Sequence, residues 1–421
     1  MTNRPGILQK LTLTPLLFLL GLLLLLPHPT QALLLGDVDF RPTLRIDGVF
    51  DDNIFSRPQD SRLPIEEDFF TRIIPSVAFT YDRGPTDFYV RYQNEFLFYK
   101  NFPERDARGD NHGFDLGLGH TFGQRSSVSL DNTFRIGTDI SSIAEGGAAD
   151  PAQPGILPRG RKYRTNNLRI GGTHAITRRL DLMGDITYRY NWYGSTLEGD
   201  LGDDLRTEDH LESIFLTTAY SLTPAHALTG TLGFSHNDYD QRGKARYLTA
   251  TVGYRGQVAR PLTLEGSVGL QYLNEDSAPD SFFPRQESVW PRANLSATYV
   301  LYDLTVSAAG SVGLNDSSGY GGTAIQRQAR VGLDYRPWQR LTLRAFGLYT
   351  KSDSTSDDPT ANQDQESFQS GAGGSYRFAS WVSARLDYTY IDQDSAGTVG
   401  GTYQDNRIVL GLTLSLPDTI R

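Results

Sequence analysis

The side chains of this chain that could do chemistry recur at every second position, with apolar side chains between them. Arg45 and Asp47 fall between Leu44, Ile46 and Gly48, and Asp131 and Arg135 fall among Val128, Leu130, Phe134 and Ile136. Asp181, Asp185 and Arg189 share a phase against Ile186, Tyr188 and Tyr190, as do Arg385 and Asp387 against Leu386 and Tyr388. The same phase carries Arg72, Arg91, Glu95, Asp115, Arg169, Arg255, Glu265, Arg292, Arg330, Asp334 and Arg344. The two signs are interleaved, so neither a purely cationic nor a purely anionic selectivity follows. Guanidinium and carboxylate groups on one face can form well-aligned, charge-assisted pairs. Two uses fit: a polar passage that orients a hydrated solute, or structural filling of a polar interior. Only four lysines lie beyond residue 32 (Lys100, Lys162, Lys244 and Lys351), each near a long connection, so every cation of this polar phase is arginine. The rigid fork of arginine suits planar hydrogen-bond networks.

Other chemistries find little support. There is no cysteine, which removes thiolate metal sites, disulfides and a cysteine nucleophile. The six histidines beyond residue 32 form no ligand set, and His120 and His174 fall in the apolar phase. No nucleophile elbow, phosphate loop or metal-ligand motif occurs. A serine and histidine on adjacent strands would leave no such trace, so a strand-borne lipase stays open as an alternative. Acidic groups cluster in the long connections: Glu198, Asp200, Asp203, Asp204 and Glu208; Glu275, Asp276 and Asp280; Asp353, Asp357, Asp358, Asp364 and Glu366. None has the spacing of a calcium loop, and solvated acidic loops are the better reading. The formal charge of −9, from 40 basic and 49 acidic residues, argues against nucleic acid as a partner. No cofactor is called for.

A period of two fixes the elements that carry these residues. Strict alternation over eight to twelve residues describes a strand with one apolar and one polar face. Eighteen such segments are expected: 40–50, 69–81, 88–99, 112–122, 126–137, 164–176, 180–193, 210–222, 226–237, 246–256, 262–273, 288–301, 303–314, 325–335, 341–350, 367–378, 382–392 and 406–416. Alternation is blurred in 69–81, 210–222 and 325–335. Pro42, Pro75 and Pro291 fall inside strands, where each removes a ladder hydrogen bond.

The connections alternate long and short. Long ones span 51–68, 100–111, 138–163, 194–209, 274–287, 351–366 and 393–405, while links such as Gly123-Gln124-Arg125 and Thr177-Arg178-Arg179 are tight. Beside the tight links a tyrosine recurs: Tyr220, Tyr254, Tyr335 and Tyr376 each close a strand, the pattern of an interfacial aromatic girdle. At the start, Arg4 and Lys10 precede an apolar run, Leu11 to Leu26, followed by Thr30-Gln31-Ala32. That is the pattern of a secretory signal peptide cleaved after Ala32, and it is too short to span a bilayer. Cleavage would leave 33–421 as one domain with a formal charge of −11. No later apolar run reaches spanning length, and mean hydropathy is only −0.40. Strands need just one apolar residue in two, so that value is compatible with a membrane barrel. Lipid offers no partner to backbone amides, so strands cross only in a closed sheet. The expected fold is all-β: a closed antiparallel transmembrane β-barrel of about eighteen strands, with short periplasmic turns and long extracellular loops. Its environment would be outer-membrane lipid and lipopolysaccharide, and its insertion would require the barrel-assembly machinery.

Residues 40–55 read F-R-P-T-L-R-I-D-G-V-F-D-D-N-I-F, and 68–79 read D-F-F-T-R-I-I-P-S-V-A-F. The first strand, the loop entry Asp51-Asp52-Asn53 and the following strand resemble the putative beta-barrel porin 2 family. The resemblance implies an outer-membrane barrel often associated with exopolysaccharide export, acting with a periplasmic polysaccharide-export lipoprotein and an inner-membrane copolymerase. The leading expectation is therefore a porin-like outer-membrane channel lined by the arginines and carboxylates above. A non-conducting barrel with a structural or adhesive role is the alternative from another class. The glycine- and proline-rich 138–163 connection is the natural candidate for a constriction.

Overall fold

A computed structural model describes residues 33–35, 38–55, 57, 59, 64–138, 161–196, 207–239, 243–277, 286–316, 323–355, 364–395 and 401–415. The expected signal segment 1–32 and most of the 138–163 connection lie outside these residues.

A short strand β1 (Leu33–Leu35) folds back antiparallel on β2 (Val38–Asp51). Seventeen further strands follow: β3 (Asp68–Arg83), β4 (Thr86–Tyr99), β5 (Ala107–Phe122), β6 (Ser126–Gly137), β7 (Arg161–Ala175), β8 (Leu180–Thr196), β9 (Thr207–Thr223), β10 (His226–Tyr239) and β11 (Gly243–Ala259). The chain continues with β12 (Leu262–Ser277), β13 (Gln286–Leu301), β14 (Leu304–Asp316), β15 (Thr323–Trp338), β16 (Leu341–Ser354), β17 (Gln365–Ala379), β18 (Val382–Ser395) and β19 (Gly401–Ser415). Each pairs antiparallel with the next, and β19 pairs with β2, from Arg407↔Asp51 to Ser415↔Thr43. The sheet therefore closes into a barrel of eighteen long strands and leaves no edge in the membrane. Among the described residues no helix is long and apolar enough to cross a membrane.

The three segments with blurred alternation form β3, β9 and β15 in full. Cross-strand pairing on both sides fixes their register even where their own pattern is weak. The expected loop 100–111 is shorter than its sequence suggests. A single 3-10 turn (Pro103–Arg105) occupies it, and β5 begins at Ala107. The register with β4 shifts between Glu95 and Phe96, and Gly109 adopts φ 101°, so 109–110 form a bulge that the alternation could not reveal. At the opposite end, Gly84 (φ 66°) and Gly123 (φ 62°) supply the left-handed conformation that tight turns require.

The prolines act as expected. The β3–β4 ladder skips Ile74 and Pro75, and the β13–β14 ladder stops at Ala293↔Val312, just before Pro291 and Arg292. Above that point β13 still pairs with β12 up to Gln286, and β14 with β15 up to Asp316. The wall is thus notched between β13 and β14 on its long-loop side.

One face of the sheet is apolar and exposed. Leu232, Val252, Leu295 and Leu410, all near mid-strand, are each more than 60 % exposed. Aromatic residues flank this band at the turn side, among them Tyr220, Tyr335, Trp338, Tyr376 and Trp381. Rings there have an apolar body and a polar tip suited to a membrane interface.

Candidate functional site

Side chains on the other face point into the barrel. The registers put all eighteen charged residues proposed from sequence on this inner face: Arg45, Asp47, Arg72, Arg91, Glu95, Asp115, Asp131, Arg135, Arg169, Asp185, Arg189, Arg255, Arg292, Arg330, Asp334, Arg344, Arg385 and Asp387. The structure does not treat them alike.

On the wall formed by β18, β19 and β2–β6 they are paired and packed. Arg72 binds Asp47 through Nη2 at 2.6 Å and Nε at 3.0 Å. Arg45 Nε and Arg385 Nη2 each lie 3.1 Å from the same Asp47 Oδ2. Glu95 is 3.7 Å from Arg72, and Asp387 is 3.3 Å from Arg385. Three guanidinium groups thus face three carboxylates, with Asp47 0 % and Arg72 1 % exposed. Charges so deep are tolerable only because each has an opposite neighbour. One step round the barrel, Asp115 is held between Arg91 Nη2 and Arg135 Nη2, both at 2.6 Å.

The Asp51-Asp52-Asn53 motif sits where this wall closes. Asp51 Oδ2 accepts from Arg407 Nε at 3.1 Å, and Asp52 accepts from the Asn406 amide and side chain, both at 2.7 Å. Asn53 Nδ2 donates to the carbonyls of Arg57 and Gln404, each at 2.9 Å. The motif therefore bolts the loop after β2 to the last strand. Asp51, Asp52 and Asp405 bring carboxylate oxygens within 4.8 Å of one another. Arg407 bridges two of them, at 3.1 Å to Asp51 and 3.5 Å to Asp405, so the cluster carries its own counter-charge. Neither belongs to the charged set proposed from sequence: Asp405 precedes the expected strand 406–416, whereas Arg407 lies within it and shares its inner phase with Val409 and Gly411. Val49, Phe70, Leu97, Tyr99, Ala107 and Val409 form an apolar cluster beside this seam.

The opposite wall, β6 to β15, is different. It lines a cavity of about 880 Å³ with Ser127, Ser129, Thr217, Thr229, Thr231, Thr251, Ser267, Ser296 and Ser311, together with Asp131, Arg255, Glu265 and Arg330. Among the residues that line it, Arg169 pairs with Asp185 at 2.6 Å. Arg255 and Glu265 are cross-strand neighbours, as are Asp334 and Arg344, yet neither couple closes into an ion pair among the described residues. A second cavity of about 410 Å³ adjoins the first, lined by Arg189, Arg292, Gln271, Asn294, Gln326 and Gln328 among others. Above it Tyr239, Ala245, Tyr247, Leu273 and Leu314 form a second apolar cluster at the long-loop end. Sequence reasoning missed the hydroxyl and amide lining because it followed charge. The signal was present as polar residues in the inner phase of β9 to β14.

The six histidines beyond residue 32 face outward, away from both cavities. His120 and His174 accept or donate through Nδ1 at 2.8 Å to Thr86 Oγ1 and Ser126 Oγ, and His226 Nδ1 meets Tyr254 Oη at 2.5 Å. All three stand at the turn-side rim.

A closed antiparallel barrel of eighteen strands, apolar outside and polar within, defines an outer-membrane barrel of the porin class. A family model described as putative beta-barrel porin 2 matches residues 33–416, and the chain belongs to that family. No curated protein matches it. Among solved structures, it is similar to OpdK from Pseudomonas aeruginosa with vanillate, at 12 % identity and TM-score 0.46, covering 90 % of this chain and 99 % of that one. A BenF-like porin from Pseudomonas fluorescens Pf-5 gives 13 %, 0.47, and coverage of 91 % and 100 %. The FrpB iron transporter from Neisseria meningitidis gives 10 %, 0.47, and coverage of 85 % and 63 %.

Proposed function

We propose that this porin-family barrel is a passive channel for hydrated polyhydroxylated solutes, with exopolysaccharide export as its physiological task. The observation that supports this most is the split lumen. One wall spends its charges on itself in tight ion pairs. The other offers a continuous hydroxyl and amide surface along a cavity of about 880 Å³. Serine, threonine, asparagine and glutamine can exchange hydrogen bonds with sugar hydroxyls without holding them as strongly as a charge would. Conduction needs binding that is favourable yet weak and repeated. An eighteen-strand barrel is also of the size at which an aqueous lumen opens. In this reading the eighteen charged residues named above line the pore, those on the paired wall giving it rigidity. A periplasmic polysaccharide-export lipoprotein and an inner-membrane copolymerase would deliver the polymer.

Purified barrel in a planar bilayer should give discrete conductance steps, and neutral oligosaccharide added to one side should produce transient blockades. Absence of any conductance would overturn the channel reading. The two apolar clusters at the long-loop end favour the second reading, a barrel closed there with a structural role, and the same recording separates the two.

A further inference from the structure

We propose that the smaller cavity is an anion site, built from Arg292 of β13 and Gln326 of β15, that takes the carboxylate of an acidic sugar. Arg292 faces this cavity and, among the described residues, has no hydrogen-bond or ion-pair partner. It is unlike Arg45, Arg72, Arg91, Arg135, Arg169 and Arg385, each of which has a carboxylate at 3.1 Å or closer.

Gln326 supplies the second observation. Its residue is 8 % exposed, and its Nε2 is buried with no acceptor, while its Oε1 already takes the Asn315 amide at 2.5 Å. A buried donor without a partner is costly, so its persistence calls for an acceptor. Gly313 lies between the two residues. It is the register partner of Gln326, and a Cβ built on it would stand 3.4 Å from Arg292 Cγ. A side chain there would press on the stem of Arg292 and on Gln271 Oε1, so the glycine leaves that space to the cavity. Pro291 helps, because the β13–β14 ladder ends just below it and the two strands part at this height.

Among the described residues the lining holds two cations, Arg292 and Arg189, and no carboxylate. Arg189 lies 4.0 Å from Asp209, whose charge it shares, so Arg292 is the cation the site rests on. Gln271 has its Oε1 occupied by the Leu314 amide at 3.0 Å, which leaves its Nε2 as a further donor at the rim. The set is therefore rich in donors and lacks a negative charge, which is the complement of a carboxylate. The amides and hydroxyls around it, Asn294, Gln328 and Ser311, suit the rest of a sugar ring. A volume of about 410 Å³ is in the range of small-ligand pockets. The site rests only on solute reaching the lumen, not on the barrel conducting.

The test is calorimetric titration of the full chain, refolded in detergent, with glucuronate, with a uronic-acid oligomer and with glucose. Saturable binding of the uronates and none of glucose is expected. Tighter binding of the oligomer assigns the site to an acidic polymer, and equal binding per sugar assigns it to small acids. Arg292→Gln should weaken uronate binding at least tenfold. Gly313→Asp, which places a carboxylate in the cavity, should do the same by a different route and serves if the first variant does not fold. Lys244→Gln removes a cation from the outer face and should change nothing. Equal responses to glucose and glucuronate, or full binding by both folded lumen variants, would overturn the proposal. Binding without conductance in a bilayer would leave this site standing while removing the channel reading.

Discussion

At the scale of single residues, the inner face separates arginines that hold the wall from arginines that face open space. Arg72 is the clearest of the first kind, enclosed with Asp47 and Glu95. Replacing it with alanine should cost about 3–5 kcal/mol, because Asp47 would stay buried with less of its counter-charge. Urea unfolding from lipid vesicles measures this. The double variant Arg72→Met with Asp47→Leu should recover much of the loss, since it removes both charges. A single loss no larger than 1 kcal/mol would mean that water reaches the pair. This distinction was invisible in the chain itself. Arg72 and Arg292 are both arginines of the inner phase with apolar neighbours. What separates them is that β2 sets Asp47 opposite Arg72, whereas the residues beside Arg292 are a glycine and amides.

At the scale of elements, the seam between β19 and β2 is where closure has to be secured, because these strands are the most distant in sequence. Bringing them together carries the largest loop-closure entropy of any pair in the sheet. The Asp51-Asp52-Asn53 segment offsets it with contacts across the seam, Asn53 to Gln404, Asp52 to Asn406 and Asp51 to Arg407. Asn53→Ala leaves the Gln404 carbonyl and the Arg57 amide without that partner and should cost about 1–3 kcal/mol. Hydrogen exchange should then quicken in β19 and β2 while β8 to β12 keep their protection. Uniform loss around the ring would show that the motif does not act on the seam. The motif was legible as a local string, but its role was not, since its partners lie some 350 positions further on.

At the scale of the whole molecule, lipid on one side and water on the other decide the tolerance of each position. Leu232 and Thr231 are adjacent on β10 and face opposite ways: Leu232 lies in the exposed apolar band, and Thr231 hydrogen-bonds Thr217 at 2.9 Å on the cavity side. Leu232→Arg should cost about 2–4 kcal/mol near the bilayer midplane, and Thr231→Arg much less. Folding yield into vesicles and urea midpoints read the difference. Equal tolerance would reverse the assignment of the two faces.

The period of two, the alternation of long and short links and the tyrosines at the tight turns determined the closed barrel, its strand number and the shared phase of the eighteen charged residues named from sequence. These are local properties, because a strand's side chains must alternate whatever it pairs with. Strand length was less legible: β5 continues through the bulge at Gly109 past the expected boundary, held by pairing rather than by pattern. Only the tertiary structure decided which charges meet, because ion pairing depends on cross-strand register and on which side chains fill the space between. It turned one wall into a balanced network around Asp47, left the other lined with hydroxyls and amides, and parted β13 from β14 beside Arg292. The arginine-rich lumen of the sequence is thereby divided into a braced half and an open half, and the open half is where a solute has room.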